Sequence, residues 1–317
     1  MSKRIFCPAC SKLASECQSL TVIAPWIREL AGVKNRTSKY FICNKCGTGW
    51  VDANYSPPQM QSLYDDYRGQ KYLKIRRKWE ITYTVEFNSS IDGGKKHMEL
   101  RRSQMQSLLI EDSPNFVVTA KAVLDIGGGH GSLIPNWSDL KEKYVLDVSG
   151  VETLDGIVSI KEWSEIREGQ ILSLVMACGI LEHLTSPKDF LDSIVSEISN
   201  YNLMNEDSLF YFEVPAGVPS REKFKIKFIF AFLMSFNPKL WQLYDKIQER
   251  LGREKFPMRI AEHIQFFSPE GMKALLSASN LEYVGSKIYS AKESLEDPSS
   301  IRFGEILGVV ARIPKSV

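Results

Sequence analysis

Two closely spaced pairs of cysteines near the amino terminus constrain this chain more than any other feature. The first pair is Cys7 and Cys10, the second is Cys43 and Cys46, and two residues separate the partners of each pair. This spacing lets both thiolates of a tight turn bind one metal ion, and two such turns complete the four-thiolate shell typical of structural zinc. The sequence therefore predicts a Zn²⁺ site formed by these four cysteines.

A redox function for the cysteine pairs is the competing interpretation. Redox-active pairs normally lie between a strand and a helix of a βαβ unit, and that pattern is absent around both pairs. Gly47 directly follows the second pair, and glycine suits a metal-binding turn because the chain there often adopts positive φ. No apolar run follows the first residues, so we expect a cytoplasmic protein, in which paired cysteines favour metal over disulfides.

Composition bounds the architecture and the partners. The 317 residues, 44% of them hydrophobic and 25% charged, suit one large domain with a smaller attachment. Lys and Arg total 40 against 38 Asp and Glu, a net charge of +2, which argues against a nucleic-acid partner. The longest apolar run, Phe228 to Met234, is too short to predict a transmembrane segment.

Composition shifts divide the chain into three parts. Residues 1–55 contain the cysteine pairs, and Ser56-Pro57-Pro58 marks a boundary because proline restricts its own backbone and that of the preceding residue. Residues 56–120 are predicted to be a linker and helical region, and the basic stretch from Lys71 to Trp79 a solvated helix face. Residues 121–317 form the predicted large domain, with an insertion at 220–260.

Short apolar segments alternate with helical patterns in the large domain. This alternation predicts an α/β fold with a doubly wound, mostly parallel sheet, in which ligands bind beyond the carboxyl ends of the strands. Ser186-Pro187 and Ser268-Pro269 are typical helix starts. The candidate strands are Ala122–Ile126, Tyr144–Asp147, Gly156–Ile160, Ile171–Ala177, Ser208–Val214, Ile288–Ser290 and Ile306–Ile313.

A glycine-rich loop follows the first of these strands. Asp125 stands at the strand end, two residues before Gly127, Gly128 and Gly129, with Gly131 beyond. Glycine permits tight turning and close backbone approach to a ligand. An acid at this position would repel a pyrophosphate and suits a cationic ligand instead.

Four motifs in this order resemble the class I S-adenosylmethionine-dependent methyltransferases, over about residues 95–317. They are the glycine loop, Tyr144 to Asp147, Glu182-His183 before Ser186-Pro187, and Glu262-His263 before Ser268. The resemblance implies a Rossmann-like methyltransferase fold that binds S-adenosylmethionine. It implies that Asp147 accepts the ribose hydroxyls, and that the methionine end lies against Asp125, Gly127, Gly128, Gly129, Ala177 and Cys178.

The amino-terminal part resembles the zinc-binding preface of methyltransferases that modify sugars and polysaccharides. This resemblance implies transfer of a methyl group to a sugar, a nucleotide-sugar or a related small metabolite, with oxygen favoured as the acceptor atom and carbon as the alternative. A hydroxyl acceptor must lose a proton, and His263 and His183 are both candidates for the general base.

Two other functions remain open from the sequence. One is a zinc-ribbon RNA methyltransferase, and the other is a non-catalytic adaptor with a degenerate pocket. In the insertion at 220–260, aromatic residues recur at near-helical spacing. They favour a lid or a face for homo-oligomer formation, while the nearby lysines keep a membrane-surface helix as an alternative.

Overall fold

The computed structural model describes residues 5–13, 17–90, 94–218, 225–252, 259–260, 262–290 and 305–314. These residues divide into two compact units. The first unit draws on Met1–Cys7, Lys12–Ile91 and Val218–Phe266, and the second on Pro8–Ser11, Asp92–Gly217 and Phe267–Val317. The segment predicted as an insertion thus belongs to the first unit, and the boundaries at residues 55 and 120 stay predictions.

The described part of the chain contains both strands and helices, numbered here in chain order. The strands are β1 Cys17–Ile23, β2 Thr37–Ile42, β3 Gly49–Val51, β4 Ala122–Ile126, β5 Glu142–Leu146, β6 Val158–Ile160, β7 Leu174–Cys178, β8 Leu209–Pro215, β9 Arg259–Ile260, β10 Gln265–Phe266, β11 Glu282–Ser290 and β12 Glu305–Arg312. The helices are α1 Pro25–Ala31, α2 Pro57–Tyr64, α3 Gln70–Trp79, α4 Val85–Ser90, α5 Gly94–Asp112, α6 Phe116–Thr119, α7 Pro187–Tyr201, α8 Lys225–Met234, α9 Pro238–Leu251 and α10 Pro269–Ala278. Short 3-10 turns occupy Trp163–Glu165 and Leu181–His183.

The second unit contains a seven-stranded sheet in the order β11-β12-β8-β7-β4-β5-β6. The five strands from β8 to β6 run parallel, and β12 and β11 add antiparallel at one edge. Strand β4 is the middle one of the five parallel strands and is buried along its whole length, as expected for a strand covered on both faces. The predicted α/β class with a mostly parallel, doubly wound sheet is confirmed.

The chain reverses its direction of winding at β4. It passes from β4 to β5 and β6 on one side, and then returns to β7 and β8 on the other. Such a switch point opens a crevice at the carboxyl ends of the central strands, where ligands of these sheets bind. In the register, Asp125 near the end of β4 lies beside Val145 of β5 and Met176 of β7.

Both predicted helix starts are found in the second unit. Helix α10 begins at Pro269, and the hydroxyl of Ser268 accepts a hydrogen bond from the amide of Gly271 at 2.9 Å. Helix α7 begins at Pro187, with Ser186 as its N-cap residue but without a side-chain capping bond. Proline fits the first turn because its missing amide hydrogen is not needed there.

The first unit contains a second sheet, of five short strands in the order β10-β3-β2-β1-β9. Its centre, β1-β2-β3, is antiparallel, and the two outer strands come from the far end of the unit. Helices α1 and α3 pack together, and Trp26 of α1 and Tyr72 of α3 form an aromatic core with Tyr83, which follows α3. Across the described ranges, we find no helix long and apolar enough to cross a membrane.

Candidate functional site

The side chain of Asp125 is a buried carboxylate at the carboxyl end of β4. It is 1% exposed, and neither of its oxygens has a hydrogen-bond partner within the described residues. Burial raises the pKa of Asp125 to about 7, although the positive charge of Arg101 acts to lower it. A buried carboxylate without partners is costly, so this position is arranged for something other than stability.

The glycine loop after β4 forms the wall beside this carboxylate. Gly127 and Gly129 adopt positive φ, which other residues rarely do. A side chain on Gly128 would place its Cβ only 2.4 Å from Cγ and Oδ2 of Asp125. Glycine is therefore required at Gly128 by close approach to the acid, and at its two neighbours by backbone conformation.

The carboxylate of Asp147 directly follows β5 and is held by two backbone amides. The amide of Gly129 donates to Oδ2 at 2.8 Å, and the amide of Ser149 donates to Oδ1 at 2.7 Å. The Ser149 hydroxyl also donates to Oδ1. These bonds fix the orientation of the carboxylate and tie the end of β5 to the glycine loop. Oδ1 accepts two of them, whereas Oδ2 accepts one and keeps a lone pair for a ligand.

A buried ion pair, which sequence reasoning missed, lies in the same unit. Arg101 of α5 donates through Nε to Oε1 of Glu213 in β8 at 2.8 Å, and the hydroxyl of Tyr289 donates to the same oxygen at 2.6 Å. Burial opposes the charge of Arg101, but Glu213 outweighs it and raises the pKa of the guanidinium. Glu213 is the sequence signal that could have indicated this pair, because an acid inside an otherwise apolar strand requires a buried partner.

Of the two predicted residues at the end of β7, Cys178 lies beside this ion pair. Ala177 is fully buried, and Cys178 lies opposite Glu213 in the strand register. Burial raises the pKa of the Cys178 thiol, with a further contribution from Glu213. The thiol is therefore protonated at neutral pH and offers a small apolar surface rather than a nucleophile.

The predicted Glu182-His183 pair occupies the 3-10 turn that follows β7. Glu182 is 3% exposed, and burial raises its pKa to about 8. Its Oε1 lies 4.0 Å from Nε2 of His183. A carboxyl group in this environment is largely protonated at neutral pH and can donate a proton as well as accept a hydrogen bond.

The second candidate base, His263, belongs to the first unit. Burial lowers the pKa of His263, which keeps the imidazole neutral and able to accept a proton at neutral pH. The neighbouring Glu262 accepts a hydrogen bond from the Tyr72 hydroxyl and an ion-pair contact from Nη1 of Arg76 at 3.1 Å. The Nε of Arg76 also contacts Oε2 of Glu80 at 3.2 Å.

Aromatic rings surround the same guanidinium. The guanidinium carbon of Arg76 lies 3.8 Å from the ring centroid of Tyr83 and 4.4 Å from that of Trp26. Burial opposes the charge, but Glu262 and Glu80 outweigh it and raise the pKa of Arg76. The predicted solvated helix face is wrong for this residue, because the side chain of Arg76 is only 13% exposed.

The four cysteines of the two pairs lie near one another. Their sulfur atoms are all within 4.8 Å of each other, and those of Cys7 and Cys46 are 3.6 Å apart. The amide of Cys7 donates to the carbonyl of Lys12, and the amide of Gly47 donates to the carbonyl of Cys43, so a tight turn surrounds each pair. Four thiolates at about 2.3 Å from zinc would stand about 3.8 Å apart in a tetrahedron. The cluster fits a small zinc module.

The parallel sheet, its glycine loop and the acid after β5 define a Rossmann-like methyltransferase fold. A family model described as a methyltransferase domain matches residues 99–286, more than half of the chain. The chain belongs to this family, and it is an S-adenosylmethionine-dependent methyltransferase. A comparison with curated proteins gives no match.

Several solved structures are similar to this chain. A 1,6-didemethyltoxoflavin N1-methyltransferase of Burkholderia thailandensis is 14% identical with a TM-score of 0.43, covering 72% of this chain and 85% of its own. The plantazolicin methyltransferase BpumL is 14% identical with a TM-score of 0.42, covering 80% and 94%. The N-methyltransferase NodS of Bradyrhizobium japonicum is 12% identical with a TM-score of 0.37, covering 68% and 87%. Similarities of this size carry no information about the substrate of this chain.

Proposed function

We propose that this methyltransferase transfers a methyl group to a hydroxyl oxygen of a sugar, a nucleotide-sugar or a related small metabolite, with carbon as the alternative acceptor. The near-neutral charge of +2 supports a small acceptor over RNA. The resemblance of the cysteine-containing part to sugar-modifying methyltransferases supports the sugar class. The cofactor part of the proposal rests on the buried, unpartnered carboxylate of Asp125.

The residues around the glycine loop fit S-adenosylmethionine, which supplies a methyl group already activated by its positive sulfur. Asp125 would attract the cationic amino group of the methionine end, and Gly127, Gly128 and Gly129 leave room for it there. Asp147 would accept both ribose hydroxyls, one at the lone pair of Oδ2 that Gly129 leaves unused and one at Oδ1 in place of the Ser149 hydroxyl. Ala177 and Cys178 would line the methionine side. In-line positioning supplies most of the rate of such a transfer.

The acceptor hydroxyl must lose its proton when oxygen attacks the methyl carbon and the carbon–sulfur bond breaks. His263 is the first candidate for the base, because burial lowers its pKa and keeps it unprotonated at neutral pH. His183 is the second, and its neighbour Glu182 would hold the imidazole. In either case the proton goes to an imidazole nitrogen.

Calorimetry with S-adenosylmethionine tests the cofactor site. The Asp147→Ala variant should bind the cofactor about 100-fold more weakly, because it loses two hydrogen bonds to a charged acceptor. Asp139→Ala is a suitable control, since Asp139 is an exposed acid paired with Lys121. Equal affinities of the two variants would contradict the proposed role of Asp147.

A mass-spectrometric screen of sugar nucleotides for a gain of one methyl group tests the acceptor class. His263→Ala and His183→Ala should be compared in single-turnover rates with the product found, and the base is the residue whose loss costs about 10²–10⁴-fold. RNA binding with a steep salt dependence would favour an RNA acceptor instead. Tight cofactor binding without turnover of any acceptor would favour a non-catalytic adaptor.

Metal analysis of the purified protein tests the zinc module. We propose that Cys7, Cys10, Cys43 and Cys46 bind one structural Zn²⁺ as thiolates. The Cys46→Ser variant should lose the zinc and unfold at lower denaturant concentration, because metal binding contributes directly to folding. Cys178→Ser should retain the full zinc content, and zinc loss in both variants would argue against this ligand set.

A further inference from the structure

Helices α8 and α9 expose an unusual amount of apolar side chain. They form a hairpin, joined by the short connection after Met234, that we call the α8–α9 hairpin. Six large apolar residues of its two helices are between 37% and 56% exposed: Ile229, Phe230, Leu233, Leu240, Leu243 and Leu251. Isolated exposed apolar residues are normal, but a concentration of this kind marks a surface that contacts something else.

The exposed residues lie on defined faces of the two helices. Ile229 and Leu233 are one turn apart on α8, opposite the buried Ala231. Leu240 and Leu243 follow a second stripe along α9. The ring centroids of Phe230 and the buried Tyr244 are 5.8 Å apart, so the two helices that carry these stripes are in contact.

Cations border this surface along one side of α9. Lys239, Lys246 and Arg250 are exposed and lie at helical spacing next to the apolar stripe. Glu249 is the exposed acid of the helix, whereas Asp245 is buried and accepts a hydrogen bond from the Thr82 hydroxyl at 2.6 Å. The outer charge of α9 is therefore mostly positive.

The basic face of α3 continues this cationic border. Gln242, one turn from both Lys239 and Lys246, donates to the carbonyl oxygen of Lys78 at the end of α3 at 2.9 Å. On α3, exposed cations line an open cavity of about 610 Å³ together with Gln70 and Leu73: Lys71, Lys74, Arg77 and Lys78. Lys78 is paired with Glu29 at 2.8 Å, and Arg77 interacts electrostatically with Glu86.

We propose that the α8–α9 hairpin docks on the surface of an anionic lipid bilayer, with its apolar face in the interface and the cations of α9 and α3 on the headgroups. Interfacial helices combine these two features, an apolar face inserted at the headgroup boundary and Lys or Arg around it. A second copy of this chain is a poorer occupant. A two-fold contact would bring the same cationic borders together with few acids opposite them.

Vesicle flotation of the full-length protein tests the proposal. The wild type should float with phosphatidylcholine vesicles that contain phosphatidylglycerol, much less with phosphatidylcholine alone, and less at high NaCl. Leu233→Glu/Leu243→Glu should lower the partition coefficient about tenfold or more. Lys239→Glu/Lys246→Glu should lower it at least about fivefold for each lysine.

Control variants carry changes of the same kind elsewhere on the surface, one apolar residue to glutamate and two lysines to glutamate. Val118→Glu replaces a 59% exposed apolar residue of α6, and Lys34→Glu/Lys141→Glu replaces two exposed lysines outside the hairpin and α3. Both should float like the wild type, and circular dichroism melts confirm that each variant is folded. Equal flotation with neutral vesicles, no flotation, or equal losses in the controls would overturn the proposal. So would a wild-type dimer that does not float and that Leu233→Glu/Leu243→Glu converts to a monomer in analytical ultracentrifugation.

Discussion

One buried charge in each unit shows two opposite arrangements, Arg76 in the first and Asp125 in the second. In the first unit, Arg76 has ion pairs with Glu262 and Glu80 and aromatic rings on its faces. In the second, Asp125 is 1% exposed, against 13% for the Arg76 side chain, and it has no hydrogen-bond partner among the described residues. The first arrangement is complete and holds a structure together. The second is incomplete among the described residues, and we expect a ligand to supply the missing partner.

Removing the complete charge should have the largest effect on stability. Arg76→Met leaves Glu262 and Glu80 without their cation and should lower the free energy of unfolding by about 3–5 kcal/mol. Its exposed neighbour provides the control, because Arg77→Met should change this free energy by less than about 0.5 kcal/mol. Chemical denaturation followed by tryptophan fluorescence measures both. Similar losses in the two variants would show that the buried cation has no special role.

Removing the incomplete charge should affect binding instead. Asp125→Asn keeps the shape of the side chain but loses the attraction for a cationic ligand, so the dissociation constant for S-adenosylmethionine should rise about 100-fold. The free energy of unfolding of the ligand-free protein should not fall, since burial of the charge was unfavourable. Calorimetry tests the predicted loss of affinity, and chemical denaturation tests the predicted stability. A destabilised Asp125→Asn variant with normal affinity would show that Asp125 contributes to stability rather than to binding.

The pH dependence of binding should reveal the same carboxylate. Because the pKa of Asp125 is raised to about 7, protonation between pH 8 and pH 6 removes the charge that attracts the ligand. The affinity of the wild type relative to Asp125→Asn should fall about tenfold over this range. The ratio is the quantity to measure, because titration of the ligand affects both proteins alike. A ratio that stays constant would place the pKa of Asp125 well below this range.

Substitutions of two adjacent glycines should have smaller effects, one on cofactor affinity and the other on stability. Gly128→Ala would force the Asp125 carboxylate to move and should weaken cofactor binding about tenfold. Gly129→Ala meets no atom within 4 Å but requires a positive φ, so it should mainly cost about 1 kcal/mol of stability. Calorimetry and thermal melts distinguish the two outcomes. The same loss of affinity in both variants would mean that loop shape matters more than contact with the acid.

The second unit was predictable because its signals are local. Most parallel strands are short apolar runs, α7 and α10 start with Ser-Pro, and Asp125 lies two residues before the first glycine of the loop. The lack of hydrogen-bond partners for Asp125 among the described residues could not be predicted, because it depends on which residues surround the carboxylate in the folded chain. Glu213 was visible as an acid in an apolar strand, but Arg101 on α5 could not be assigned to it from spacing.

The sheet of the first unit was not predicted from the sequence, because its signals are not local. Strand β3 has three residues, and β9 and β10 have two each, which is too short for any hydrophobic period. Their pairing joins residues far apart in the chain, as does the contact between Arg76 and Glu262. The basic stretch around Arg76 looks uniform in sequence, and only tertiary structure separates this buried cation from its exposed neighbours.

The discontinuity of the first unit has a consequence for synthesis. Strands β9 and β10 complete the two edges of the sheet, pairing with β1 and β3, yet they follow β8 of the second unit in the chain. A ribosome must therefore finish most of the parallel sheet before the amino-terminal sheet can close. Until then both edges keep unpaired backbone groups that other chains can join. A chain that ends after β8 would therefore leave both edges of the amino-terminal sheet open.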